Sequence, residues 1–380
     1  MLRLLAIFSI LAVTAPFASA QIDQTPWHLE VEWEIGNEES DVYFSFPRDL
    51  VIGTGDQIYL SDRREPVIRV LTKTGEEVMT IGREGQGPGE FMEVTSLLAM
   101  PDGGVLAHDR RGGRLSQFDS EGGLQRTITI PETTIRLMWL AAYDEDSDRL
   151  AFVRESTVFT GESPLLYWAD LSNETLGEGV IRPGDYMDLE DPVFGRLGSS
   201  PLAHNAVVLE NDGRDMRIAV FSSYYTGAWA VADWVNGSFQ ATQAFFPEEK
   251  YALLHATHLD ISEEEWKLTR ADYNMSMGSY GQRGTFYTDI HTAGLKGMQL
   301  QDGRMAIVFA SEETRMDGYW VDVFTSEGTL VGRHPISHDL DSLSPGASIL
   351  ASDGLGEVYF LYYTPERVPI IGRGRLVPQD

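Results

Sequence analysis

The chain has 380 residues, 42% of them hydrophobic, with 58 acidic against 29 basic side chains and a formal net charge of −29. That apolar share fills a core and excludes wholesale disorder, and the acid excess argues against a nucleic-acid partner, whose phosphates need a basic surface. The lack of Cys excludes disulfides, thiolate metal sites, cysteine nucleophiles and a lipid-bearing thiol.

Residues 1–20 read as a secretory signal peptide. Arg3 supplies the positive start, Leu4 to Ala15 form an apolar run, and Ala18-Ser19-Ala20 is an A-x-A cleavage site. The run is shorter than the ~20 residues that cross a bilayer, and no later stretch is long and apolar enough. The expectation is therefore export to the periplasm or beyond, without membrane insertion. The mature part, 21–380, reads as a single domain, because no Pro/Ser/Gly-rich linker divides it. Just inside it, Leu29-Glu30-Val31-Glu32-Trp33 alternates like a strand but has no neighbouring partner.

Two segments then repeat. Ile58-Tyr59-Leu60-Ser61-Asp62-Arg63-Arg64 leads to Ile68-Arg69-Val70-Leu71 and Gly75. Val105-Leu106-Ala107-His108-Asp109-Arg110-Arg111 leads to Leu115-Ser116-Gln117-Phe118 and Gly122, each position offset by 47. Short apolar strands between Gly/Asp turns at that period mark a propeller blade. Looser copies follow at Arg149–Val153, Arg217–Phe221, Met305–Phe309 and Glu357–Leu361, each after a hairpin turn. The fold predicted is all-β, a six-bladed β-propeller with four-stranded antiparallel blades. The last blade lacks an outermost strand, so the N-terminal strand is expected to complete it and close the ring, which removes a long exposed edge.

The run Gly82-Arg83-Glu84-Gly85-Gln86-Gly87-Pro88-Gly89-Glu90-Phe91, after the first of these repeats, gives the chain a family likeness. It resembles NHL repeats, and in particular the exported bacterial six-bladed propellers that carry a G-x-x-G-x-G-P-G-E-F segment between blades. The resemblance implies the fold but no single activity, because such propellers serve as binding proteins, lyases and hydrolases.

Four antiparallel strands per blade place loops on alternate faces. One face receives the short turns, such as Gly53–Gln57 and Lys73–Glu76. The other receives the long segments, among them Gly82–Phe91, Arg333–Ser348 and an insertion near 247–296 between blades four and five. Sites form preferentially on such loops. The insertion carries a helix signal, with Ser262 as N-cap ahead of Glu263-Glu264-Glu265. Two readings stand for it, a cap over the channel mouth or a rim that only stabilises. As a cap, it would offer Trp266 and Tyr280 to a ligand.

The glycine run reads as turns and a packed Phe91 rather than a phosphate loop, which would need a helix behind it. Arg63, Arg64, Arg110 and Arg111 fall on the long-loop face of adjacent blades, where four guanidinium groups could clamp a carboxylate, sulfate or acidic sugar. Against this, each preceding Asp could serve its own turn while the Arg side chains pair with surplus acids. Asn205 falls where an inner strand opens on the same face, the position at which calcium-dependent propeller enzymes carry Asn, Asp and Glu, but the chain has only six Asn. A zinc site would draw on His204, His291 and one of His255 or His258.

The leading expectation is an exported propeller that binds a protein or a small-molecule or saccharide ligand on its long-loop face. It needs no cofactor and catalyses no reaction. The alternative is a metal-dependent hydrolase or lyase at the channel mouth, using calcium or zinc. A third reading is a scaffold, which an aliphatic channel without converging polar groups would favour.

Overall fold

Segments such as Gln57–Asp62 and Val105–Asp109 join β-branched, aromatic and aliphatic residues and end at Asp- or Gly-bearing turns, a composition that favours short antiparallel strands. The computed structural model describes residues 22–38, 40–55, 57–129, 138–154, 164–186, 204–211, 216–222, 229–245, 297–300, 302–310, 319–326, 328–340, 348–353 and 356–379. The signal segment and the 247–296 insertion, with its helix signal, lie outside these residues.

After β1 (Trp27–Ile35) the chain makes a series of four-stranded meanders. The first is β2 (Pro47–Ile52), β3 (Gln57–Asp62), β4 (Ile68–Thr72) and β5 (Glu77–Ile81). The second is β6 (Val94–Ala99), β7 (Val105–Asp109), β8 (Arg114–Phe118) and β9 (Leu124–Ile128). The third is β10 (Met138–Asp144), β11 (Arg149–Arg154), β12 (Leu166–Asp170) and β13 (Thr175–Leu176), with the one-turn helix α1 (Pro183–Tyr186) after it. The fourth is β14 (His204–Asn211), β15 (Met216–Ser222), β16 (Trp229–Val235) and β17 (Ser238–Phe245). The fifth is β18 (Gly297–Gln299), β19 (Met305–Ala310), β20 (Tyr319–Phe324) and β21 (Leu330–His338). Three strands follow, β22 (Ser348–Ser352), β23 (Glu357–Tyr363) and β24 (Pro369–Pro378).

Strand β1 lies antiparallel beside β24, from Trp27↔Pro378 to Ile35↔Ile371, so the last group also has four strands in the order β22-β23-β24-β1. Its first residues, Trp27–Leu29, also pair in parallel with Ile336–His338, which joins the fifth and sixth groups into one eight-stranded sheet. On the far side, the Trp33 indole N–H donates to the Lys73 carbonyl at 2.8 Å, and Arg373 bridges Glu32 and Glu357 at 2.6 Å each. The segment Arg333–Ser348, expected to be a long loop, is strand as far as His338. His334 and Ile336 alternate inward there, and Trp27 stacks on the His334 ring at 4.7 Å.

Apolar side chains fill the seams between consecutive groups. Val70, Phe91 and Phe118 meet between the first and second. Leu106, Met138 and Phe152 meet between the second and third, Val153 and Ile218 between the third and fourth. Val207, Trp229 and Phe324 join the fourth to the fifth, and Val321 and Phe360 join the fifth to the sixth. Leu50, Leu60 and Tyr359 then join the sixth to the first. Full burial of one such side chain contributes ~1.5–3 kcal/mol. The innermost strands β2, β6, β10, β14, β18 and β22 line one central channel of about 450 Å³. Sheets set like paddles about a channel make a β-propeller, and each group is called a blade below.

The two faces differ as the loop lengths predict. At one end the hairpins are tight: Gly53 N–H donates to Gln57 and Gly75 N–H to Thr72. Asn236 and Gly237 both hold positive φ, 53° and 90°, as a two-residue hairpin requires. The other end receives the strand-two to strand-three loops and the blade-to-blade links, and the candidate site lies there.

Candidate functional site

The repeated Asp residues are part of the scaffold. Asp62 is buried, and its Oδ2 accepts from the backbone N–H groups of Ser45 and Phe46, both at 2.8 Å, while its Oδ1 accepts from Arg64 N–H. Asp109 accepts from Met92 and Glu93 N–H in the same register and from Gly112 N–H. Each carboxylate thus ties the link entering its own blade to the loop after its second strand. An ionised acceptor meets otherwise orphaned N–H groups best.

The glycine run between blades one and two is a closed structural loop. Phe91 is fully buried and lies 5.8 Å from the Phe118 ring. Gly82 has φ +78°, and a Cβ there would stand 2.4 Å from the Phe91 ring, so only glycine fits. Glu90 accepts from Gly87 N–H at 2.8 Å and pairs with Arg83. Its carboxyl is held below the usual range by the Gly87 N–H and by that guanidinium.

The four nominated arginines gather at this end and have different surroundings. Arg63 is half exposed, pairs with Glu93 at 3.0 Å and lies 5.9 Å from the Phe46 ring. Arg64 and Arg111 are exposed and Arg110 is half-buried. Among the described residues these three side chains have no ion-pair partner. Asn205 and His204 open β14 at the same end. Trp266, Tyr280, His255, His258 and His291 lie outside the described residues. Among the described residues, no three His, Asp or Glu side chains converge as metal ligands would.

The mouth of the channel also brings in residues that the sequence reading did not nominate. A bulge after Pro47 turns Arg48 of blade one inward, and its guanidinium stands 4.6 Å from the ring of Trp139, from blade three. A cation over an indole face is favourable by ~0.5–2 kcal/mol. Beside it, Tyr363 at the end of β23 has its phenol pushed up by burial and by the nearby Asp62 carboxylate. Just below, inner strands are tied across blades. Asp49 accepts from Leu97 N–H at 2.8 Å, and Ser96, one repeat later, accepts from Leu140 N–H at 3.0 Å. These bonds satisfy edge N–H groups that a four-stranded sheet leaves unpaired. His108, fully buried on β7, shares a 3.1 Å hydrogen bond with Thr95.

Below the mouth the channel lining includes the half-buried Ile52, Leu98 and Ala141. Polar side chains return at the short-turn end as Gln299, Ser352 and Asp353. The four arginines lie at the long-loop end, outside the residues that line the channel. A fifth arginine, Arg154, ends β11 at the long-loop end. A signal for it was present in the sequence: Leu150-Ala151-Phe152-Val153-Arg154 aligns with Ile58 to Asp62, with Arg in place of Asp.

Comparison with known proteins agrees with this architecture. Residues 48–168, from the first strand of blade one to the third of blade three, match a family model described as a 6-bladed beta-propeller. A protein named as exported, from Bacteroides fragilis, superposes with a TM-score of 0.52 at 10% identity, over 93% of this chain and 96% of that one. A member of the DUF4221 family from Bacteroides vulgatus superposes with a TM-score of 0.54 at 10% identity, over 94% of this chain and 100% of that one. Likeness at that identity speaks for the fold alone. No curated protein matches the chain in sequence. No helix among the described residues is long and apolar enough to cross a membrane. The strand order, the family model and the two superpositions lead to one conclusion: the chain is a six-bladed β-propeller.

Proposed function

We propose that this propeller is an exported binding protein that takes an acidic ligand on the long-loop end of its channel without catalysing a reaction. One observation carries the reading. In a chain with twice as many acids as bases, Arg64, Arg110 and Arg111 stand on one face with no ion-pair partner among the described residues. Guanidinium groups left unpaired amid surplus carboxylate suit an external anion, which they grip through paired hydrogen bonds. The Arg48–Trp139 pair adds an aromatic surface at the same end, of the kind that stacks on a sugar or a planar group. Export is supported by the signal-like residues 1–20. Closure of the ring by the N-terminal strand is part of the proposal, supported by the antiparallel pairing of β1 with β24 and by the Trp33–Lys73 hydrogen bond to blade one.

The test is a glycan array carrying uronic-acid, sulfated and neutral oligosaccharides, probed with the mature protein and with the R63A/R64A/R110A/R111A variant. Binding confined to acidic glycans, weakened at least tenfold in the variant, is the expected result. Equal binding by both proteins, or binding to neutral glycans only, would overturn the proposal.

A further inference from the structure

The seams between blades differ at the long-loop end. Between blades one and two, Arg63 is paired with Glu93, and the buried Asp109 carboxylate accepts from the N–H groups of Met92 and Glu93 and lies 3.5 Å from the Arg114 guanidinium. Between blades two and three the balance is reversed. Arg154 pairs with Met138 at the start of an inner strand, as Asp62 pairs with Pro47 and Asp109 with Val94. A donor therefore stands where blades one and two place an acceptor.

Cross-strand partners share a sheet face. Met138 packs in the seam between blades two and three, so Arg154 faces blade two. Its Nε is buried without a hydrogen-bond partner, and among the described residues its guanidinium has no ion pair. The β7–β8 loop of the neighbouring blade two carries Arg110 and Arg111 to the same end, also without ion-pair partners among the described residues. Asp109, the buried acid of this loop, is occupied by the N–H groups of Met92, Glu93 and Gly112. Six other arginines also bury an Nε without a hydrogen-bond partner, but Arg69, Arg114, Arg217 and Arg373 are ion-paired and Arg48 and Arg149 lie over indole rings, whereas Arg154 has neither kind of partner among the described residues. An oxyanion at this end would supply the acceptor that Arg154 lacks.

We propose that the long-loop end of the seam between blades two and three is a subsite for an oxyanion group, a carboxylate, sulfate or phosphate, held by Arg154 with Arg110 and Arg111. The proposal deepens the binding function above by naming the group recognised. It rests on that reading only in assigning the group to a larger ligand.

The experiment titrates the full mature chain with sodium sulfate, sodium phosphate and sodium glucuronate, following Tm at constant ionic strength against sodium chloride. General salt stabilisation acts on all variants alike, so the comparison is with R154Q and R154D. The second variant carries the residue that blades one and two hold at this position, which guards against simple misfolding. In the wild type Tm should rise saturably in the low-millimolar range of at least one oxyanion. R154Q should weaken half-saturation at least tenfold, and R154D should abolish the response. The glucuronate and sulfate arms tell a carboxylated from a sulfated source. A wild type that does not respond, or an equal response in R154Q, overturns the subsite. Glycan binding that depends on the four other arginines but not on Arg154 also overturns the subsite and leaves the binding function standing. An oxyanion response that depends on Arg154, with no glycan bound, supports the subsite and overturns the acidic-glycan reading.

Discussion

Asp148 shows how much one residue holds in the short-turn face. It adopts a left-handed backbone, φ 50°, which Asp tolerates better than most residues. Its carboxylate accepts from the Arg126 guanidinium, with one bond at 2.7 Å, from the Tyr143 phenol at 2.8 Å and from the Ser172 hydroxyl. Blade two is thereby tied to blade three. The Arg126 hydrogen bonds do most to hold the Asp148 carboxyl well below the usual carboxylate range, while burial and then Asp148 push the Tyr143 phenol up. A carboxyl whose folded pKa is depressed stabilises the fold above its ordinary value, near 3.8, and that stability is lost as pH falls through and below it. D148N is expected to cost about 2–4 kcal/mol at pH 7 and to flatten the loss of stability between pH 5 and pH 3. Urea unfolding at the two pH values measures both effects. D109A should likewise cost about 2–4 kcal/mol, because it strands the buried N–H groups of Met92 and Glu93, a loss readable as a lower urea midpoint at unchanged slope.

At the scale of the element, the link between blades one and two depends on a glycine and an aromatic that cannot be exchanged separately. G82A would force a side chain into a positive-φ position and against the Phe91 ring. The strain alone costs about 1–3 kcal/mol, and thermal unfolding should show a lower Tm with native secondary structure retained. F91A empties the seam itself, with an expected loss of about 3–5 kcal/mol. Seen this way, the G-x-x-G-x-G-P-G-E-F segment is a packing device, and its resemblance to a phosphate loop ends with its glycines. The inner strands use polar residues in a similar structural way: Asp49 and Ser96 reach to the next blade because each exposed edge needs an acceptor.

At the scale of the whole molecule, the first described strand lies beside the last. Strand β1 pairs with β24 over Trp27 to Ile35, and its Trp33 packs against the Gly75 turn of blade one. Removing residues 22–35 would expose the β24 edge, and unpaired edges recruit other chains. The expected outcome is a Tm lower by several degrees and self-association, measured by calorimetry and by size-exclusion chromatography with light scattering. An unchanged Tm in a monomeric truncated protein would mean that β1 does not close the ring.

What the sequence determined by itself follows from local physics. Strand length, turn position and the repeat are written in neighbouring residues, so Ile58–Asp62 and Val105–Asp109 could be read as equivalent strands and Leu29–Trp33 as a strand without a local mate. The structural duty of Asp62 and Asp109 was legible too, since an Asp before a turn has few other partners. Arg48 and Trp139 could not be paired from sequence, because they meet only across a channel that exists once the blades are assembled. The pairing of Arg63 with Glu93 depends on the packing of one blade against the next. Whether a guanidinium stands beside an acid or faces open space is set by the angle and spacing between sheets, quantities that no run of residues encodes locally. The tertiary structure alone decided which arginines among the described residues stand beside an acid, as Arg63 does, and which, such as Arg154, do not.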